Sequence, residues 1–458
     1  MKGAHFKFTK MTKKYGGMFS LKLETGTAVV LTDRRIIKEL VDKKSSVPSN
    51  RPDSYVAQGI ITGGGHLLVM KYRPTWRLFR KLIHQYFMEA MCEKEHIKVQ
   101  NAEAVQMLQD FVMTPEHHML HPKRFSNSVI MTLLFGTRTP SYDTPHMARL
   151  YDLMENWSKI METGATPPVD VYPFLRLIPE RFLGNWVSRA TKVKEEMESL
   201  YSDMINHVIR RREQQGSKGS FMDKVLDRND KLGLSSHELY FLGGVMMEGG
   251  SDTSSSIIIA CIQVLTKWPE VQKKAQAEID AVIGEDRSPL WSKYTKLPYV
   301  AAVVKEAMRW RPTKFPNPDI FDPAHYAGHT QLAPEYAASA DYENRDHYGY
   351  GAGRRLCPGI HLGERNLFLG YSEGFLHVHR LSSAERKPQR CVGVRNGLPR
   401  FSNGVLKNAV QLSPQKQRKA HRDDRSWGQS RQDASTESVV GGAEQWHMRN
   451  HEGIYIFA

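Results

Sequence analysis

Hydrophobic and polar residues alternate through residues 17–31, GMFSLKLETGTAVVL, which predicts two short strands about a Thr-Gly turn. Asp33 follows at the N-cap position of a short helix, DRRIIKELVDKK. Over residues 74–113 the spacing changes to three and four, with Trp76, Phe79, Leu82 and Ile83 on the apolar side of long helices. A loop rich in Gly and Pro covers 163–185, helices resume over 186–214, and a polar linker, QQGSKGS, comes next. Residues 236–266 read as one long apolar helix despite Gly243, Gly244, Gly249 and Gly250. Trp268-Pro269-Glu270 opens another, with Pro in its first turn. The fold class expected is mainly α with a minor β-sheet. After Gly370 the periodicity fades, and residues 371–458, dense in Arg, Gln, Ser and Gly, read as a poorly ordered polar tail.

The 458 residues suffice for two or three ordinary domains or for one large domain built around a cofactor. Four cysteines, Cys92, Cys261, Cys357 and Cys391, show no paired spacing, so neither a disulfide framework nor a zinc site is expected. The net charge of +15 suits nucleic acid, an anionic membrane or an acidic protein. It is dispersed and accompanied by no nucleic-acid-reading motif, so no nucleic-acid partner is expected. No stretch approaches the roughly 20 apolar residues of a spanning helix. The basic N-terminus lacks the apolar core of a signal peptide.

Four constellations carry candidate chemistry. The first, Tyr350-Gly-Ala-Gly353-Arg-Arg355-Leu-Cys357-Pro-Gly359, sets a thiol in a glycine-rich loop. Glycines let the backbone turn tightly and aim amide N–H groups at the sulfur. An inert thiol in a loop is the plainer alternative; a dinucleotide loop is excluded because no apolar strand precedes the glycines. The second, Glu306-Ala-Met-Arg309, puts a carboxylate and a guanidinium at i and i+3 on one helix face. Alone, such a pair is usually an exposed one worth ~0–1 kcal/mol.

The third, Gly249-Gly250-Ser251-Asp252-Thr253-Ser254, sits inside the long apolar helix. Paired glycines and a Thr hydroxyl disturb the backbone ladder and open a local kink, beside which Asp252 and Thr253 can pass protons. The alternative is a loop whose Ser and Asp cap a helix beginning at Ser255. The fourth, Trp76-Arg-Leu-Phe-Arg80, projects two N–H donors from one side of a helix, suited to a carboxylate. An amphipathic helix with Trp76 in the core and Arg80 in water explains the same spacing.

In this order, Trp76–Arg80, Gly249–Ser254, Glu306–Arg309 and Tyr350–Gly359, the four motifs resemble the cytochrome P-450 family of haem-thiolate monooxygenases over residues 1–370. The cysteine loop matches the family's Phe-x-x-Gly-x-Arg-x-Cys-x-Gly signature except that Tyr350 replaces Phe. GTAVVLTDRRIIKELVDKK and RPDSYVAQGIITGGGHLLVMKYRPTWRLFRKL are similar to filamentous-fungal members that oxidise secondary metabolites. The resemblance implies haem b with its iron held axially by Cys357, in a loop shaped by Gly353 and Gly359. It further implies propionates held by Trp76, Arg80 and Arg355, and proton delivery by Asp252 and Thr253. Glu306 and Arg309 are implied to be structural, with His325, in PDIFDPAHY, where Arg is commoner as their third partner.

An NADPH-cytochrome reductase-type flavoprotein is the implied electron donor, and Lys71, Arg73, Arg77 and Lys81 suit its acidic surface. The implied substrate is an apolar small molecule. The implied location is the cytosolic face of the endoplasmic reticulum, with peripheral membrane contact in place of the anchor helix that such enzymes usually carry.

Two departures accompany the resemblance. Only fifteen residues separate Arg309 from His325, where the family places several strands; at ~3.3 Å per residue they bridge the gap but cannot also build strands. Residues after Gly370 do not resemble the family's last helix and closing hairpin. The expected fold is therefore an incomplete P-450 fold. The functions to weigh are a monooxygenase, a catalytically impaired haem-binding relative from a truncated or misassembled gene product, and a haem-thiolate isomerase or dehydratase. The presence of both Asp252 and Thr253 disfavours the last.

Overall fold

The computed structural model describes residues 4–23, 26–46, 48–162, 164–284, 287–309, 319–384, 448–449 and 454–457. Strands β1 (Met18–Leu23) and β2 (Gly26–Leu31) pair antiparallel, Met18 opposite Leu31. Phe19, Ala28 and Val30 turn inward against Phe8 and Met11 of α1 (Ala4–Tyr15). Two further strands, β3 (Met448–Arg449) and β4 (Ile454–Phe457), complete a sheet of order β1-β2-β4-β3, with β4 parallel to β2. Both come from the stretch read as tail. Asp33 caps its helix as its side chain suggests, Oδ1 accepting from Arg35 N at 2.8 Å and Ile36 N at 3.2 Å.

The longer helices continue in chain order as α2 (Pro74–Phe87), α3 (Ile97–Met113), α4 (His121–Phe135), α5 (Pro145–Met161) and α6 (Trp186–Gln215). They are followed by α7 (Ser236–Lys267), α8 (Pro269–Ile283), α9 (Pro298–Arg309) and α10 (Ile360–Ala384). Helix α7 is the spine of the main core and packs on α4 and α6. Ser235 and Glu238 start it with a reciprocal capping box, each side chain bonding the other's backbone N–H.

Glycines set how closely the neighbours approach. A Cβ on Gly244 would lie 2.3 Å from the Tyr201 ring of α6, and one on Gly250 would lie 2.4 Å from Ile130 of α4. These glycines serve close helix packing, a purpose that spacing along one chain does not reveal.

One alternative falls away and one expectation is corrected. No capped helix begins at Ser255, because α7 runs through it unbroken. The boundary at Gly370 falls inside α10, which carries on to Ala384. Leu367, Phe368, Leu369 and Tyr371 are buried there, and Tyr371 donates to the Ile257 carbonyl of α7 at 3.0 Å. That anchorage holds the first turn past Gly370, where Ser372 and Glu373 are buried as well. The rest of the expected tail, apart from β3 and β4, and the short passage at 310–318 lie outside the described residues.

Candidate active site

Cys357 lies just ahead of α10, whose first turn, Gly363 N to Gly359 O at 2.8 Å, aims its positive end back at the sulfur. The loop closes where Cys357 N–H donates to the Tyr350 carbonyl at 2.8 Å. Gly353 has φ +60°, and a Cβ on it would lie 2.4 Å from the Val41 carbonyl oxygen. Its N–H donates to Asp42 Oδ1 at 2.7 Å, pinning the loop to the helical turn at 38–43. Burial pushes the Cys357 thiol up, opposed by the Gly359 N–H on the sulfur and by the charge of Arg80. Gly359 would place a Cβ 3.9 Å from that sulfur.

Guanidiniums gather around this loop. Arg80 donates to the Leu356 carbonyl at 2.5 Å. Arg355 spans Ser49 O at 2.8 Å and Met70 O at 2.7 Å, and its plane lies 4.8 Å from the Trp76 ring. Trp76 is buried, with Arg80 on its ring as well, 5.6 Å away. Spacing alone does not identify Arg51, a third member: buried, it donates to Leu68 O at 3.2 Å, the carbonyl that Arg355 also approaches at 3.5 Å. Burial lowers Arg51 to about 10; Arg355 falls to about 9 through burial and the charges of Arg51 and Arg80.

Among the described residues no carboxylate pairs with Arg80 or Arg355; both bond backbone carbonyls. Crowded cations of this kind are relieved by carboxylates from a bound group. A haem, with two propionates beside an iron that takes a thiolate, fits this donor set.

Glu306 and Arg309 form a fully buried bidentate pair, Nε to Oε2 and Nη2 to Oε1 both at 2.7 Å. His325 Nδ1 lies 3.2 Å from Glu306 Oε1, which also accepts Asp322 N–H at 2.8 Å, and Arg309 donates to Ile320 O at 3.1 Å. The structure thus brings Glu306, Arg309 and His325 together across the short passage.

It does not join Asp252 to Thr253. The exposed Thr253 hydroxyl donates to the Gly249 carbonyl at 2.7 Å. Asp252 accepts from Ser256 at 3.4 Å and is raised by burial, partly offset by Lys123 and Ser256. Neighbours along a helix point about 100° apart, so adjacency in sequence does not bring their side chains together. Outside the loop, Pro74, Trp76, Arg77, Leu78, Arg80, Lys81 and Arg354 line an open cleft of about 670 Å³ holding four cations and no acid.

The helical core, with a glycine-held thiol under a cluster of guanidiniums, has the form of a haem-thiolate protein. The cytochrome P450 family model matches residues 1–314 and 310–377, two segments that meet beside the short passage after Arg309. The chain is 51% identical over 410 residues to cytochrome P450 monooxygenase macC of Penicillium terrestre, covering 80% of this chain and 76% of that one. It is 54% identical over 409 residues to cytochrome P450 monooxygenase atE of Aspergillus terreus, covering 81% and 76%. It is 50% identical over 407 residues to cytochrome P450 monooxygenase patH of Aspergillus clavatus, covering 81% and 78%. The chain belongs to the cytochrome P450 family, whose members carry haem iron on a cysteine thiolate, and it is an oxidoreductase of the monooxygenase class. Family membership implies a redox partner and a small-molecule substrate. Nothing in these comparisons specifically favours an impaired relative.

Proposed function

We propose that this chain takes electrons from NADPH through a reductase-type flavoprotein and places one atom of dioxygen in an apolar small molecule of fungal secondary metabolism. The observation that carries the proposal is the Cys357 thiol beside Arg80, with Arg355 against Trp76 and Arg51 sharing the Leu68 carbonyl with Arg355. In this family the bound haem supplies redox-active iron, and its sulfur ligand favours O–O cleavage.

The chain's own residues do the rest. Cys357 is the ligand, its charge tuned by the Gly359 N–H and the positive end of α10. Trp76, Arg80, Arg355 and Arg51 hold the propionates, while Gly353 fixes the loop on Asp42. Glu306, Arg309 and His325 lock the segment that enters the loop. Asp252, raised by burial, keeps its proton to higher pH than an ordinary carboxylate, and Thr253 Oγ1 on the exposed side of α7 is a separate hydroxyl; each passes a proton to the site through water rather than to the other.

The basic cleft at Arg77, Lys81 and Arg354 supports docking of an acidic electron donor. Among the described residues no helix is long and apolar enough to cross a membrane. Phe174, Leu177 and Phe182, 60%, 85% and 68% exposed beside Arg176 and Arg181, support peripheral contact with the cytosolic face of the endoplasmic reticulum. The test is incubation of the haem-loaded chain with NADPH, a fungal reductase and a panel of apolar small molecules under ¹⁸O₂. Products carrying one labelled oxygen are expected; NADPH-independent conversion, or label from water alone, overturns the proposal.

A further inference from the structure

Glu248 precedes the Gly249-Gly250 pair on α7 and is buried, yet among the described residues no Lys or Arg lies within ion-pair distance of it. Its two oxygens are met by neutral donors from two other elements. Tyr201 of α6 donates its hydroxyl to Oε1, and His66 Nε2 lies 3.1 Å from Oε2. The tautomer follows from the other ring nitrogen: Leu68 N–H donates to His66 Nδ1 at 3.3 Å, so the proton sits on Nε2 and points at Glu248. The imidazole stacks on Trp157 of α5, centroids 5.3 Å apart and planes at 9°, and meets Phe241 of α7 edge-on. One carboxylate therefore ties together α6, α7 and the segment that carries His66, and α5 joins through Trp157 on the His66 ring.

That segment, residues 62–70, has no regular secondary structure beyond turns. Gly63 and Gly64 enter it at φ +52° and +75°, where the backbone turns without a Cβ penalty. The Leu67, Leu68 and Met70 carbonyls bond Arg355, two residues from Cys357. His66, at the other attachment, bonds the residue five before Thr253. The segment thus reaches from the cofactor-side arginines to the oxygen-side helix. Gln58 on the Val69 carbonyl, Arg73 on the Gly64 carbonyl and His237 beside the Thr62 carbonyl also hold it, but the His66–Glu248 contact is the bond that ties it to the middle of α7.

We infer that Glu248 is a positioning residue: with His66 and Tyr201 it forms a clasp that holds residues 62–70 closed across the site. Release of the clasp governs entry of molecules larger than dioxygen. The inference rests on the haem-monooxygenase reading for what enters, but not for the clasp itself. Glu248→Gln keeps the volume and removes one of two acceptors. Tyr201 O–H and the His66 N–H then compete for a single oxygen, and a flipped His66 tautomer loses the Leu68 bond.

The test compares the full chain with Glu248→Gln and, as a milder variant, Tyr201→Phe. Hydrogen exchange over residues 62–72 is expected to quicken about tenfold, which is the loss of ~1.4 kcal/mol, or one hydrogen bond. In haem-loaded protein the association rate of 4-phenylimidazole rises in the same order. The carbon-monoxide association rate and the spectrum of that complex do not move. Unchanged exchange and unchanged 4-phenylimidazole association in both variants overturn the clasp. The exchange comparison is read on haem-free protein too, where acceleration upholds the clasp even if the unaltered chain fails to give a thiolate-type spectrum.

Discussion

Glu364 makes the fold's stability depend on pH in a direction opposite to that of its ion-paired neighbour Asp346. It is 4% exposed on α10, and the Lys305 ammonium stands between it, at 3.8 Å, and Asp346, at 3.1 Å. One cation cannot fully serve two buried anions. Burial works to raise Asp346, but the charges of His347 and Lys305 and the His347 N–H hold it below its usual value. Glu364 takes the other outcome: burial raises it from 4.5 to about 7, despite Lys305 and the Ala333 N–H.

Because its folded value exceeds its unfolded one, the stability linked to its proton is fully present below about pH 4.5 and lost as pH rises through about 7. A shift of that size is worth about 3 kcal/mol. Asp346 has the opposite sign, but acts only below about pH 4. Urea denaturation between pH 5 and 8.5 checks this, with Glu364→Gln as the variant that cannot ionise. The wild-type midpoint should fall relative to the variant from pH 5, most steeply at about pH 6, and level off above about pH 8. Parallel profiles would refute the reasoning.

Three further perturbations test particular contacts. Gly353→Ala forces a Cβ onto the Val41 carbonyl in a left-handed residue, costing ~1–2 kcal/mol before the clash is counted; haem content per chain should drop, and unaltered content would contradict the role given to the loop. Arg309→Met strips Glu306 of its cation at full burial, an expected loss of ~3–5 kcal/mol that shows as a lower denaturation midpoint. The double variant Glu306→Gln/Arg309→Met should recover part of it. Arg51→Met removes one guanidinium from beside Arg355, and haem transfer to apomyoglobin should quicken about tenfold if that charge holds a carboxylate of the cofactor; an unchanged transfer rate removes Arg51 from the site.

Local rules made much of the fold legible. The alternation in 17–31 gives β1 and β2, Asp33 and Ser235 cap helices through their own side chains, and Pro269 opens α8. The cysteine loop was readable because its glycines, Arg355 and Cys357 fall within ten consecutive residues. What escaped depends on contacts distant in sequence. Gly250 reads as part of a kink and Gly244 as an interruption the helix tolerates, whereas the side chains they accommodate, Ile130 and Tyr201, belong to other helices. Arg51, Asp42 and Glu248 each bond residues separated from them by tens to hundreds of positions, and no spacing marks them among the chain's many charges. Helix α10 passes the boundary expected at Gly370 where Tyr371 bonds the Ile257 carbonyl of α7, a partner more than a hundred positions away in sequence. Asp252 and Thr253 were paired from adjacency, yet their side chains bond different partners.

The chemistry of the site depends most on sulfur from Cys357 reaching iron. Its most direct test is the carbon-monoxide difference spectrum of the dithionite-reduced protein, recorded for the chain and for Cys357→Ala after expression with added haem precursor. A red-shifted Soret band characteristic of thiolate ligation, present in the chain and absent from the variant, is the predicted result. A band in the position given by nitrogen-ligated haem, or the same band in both proteins, would contradict it.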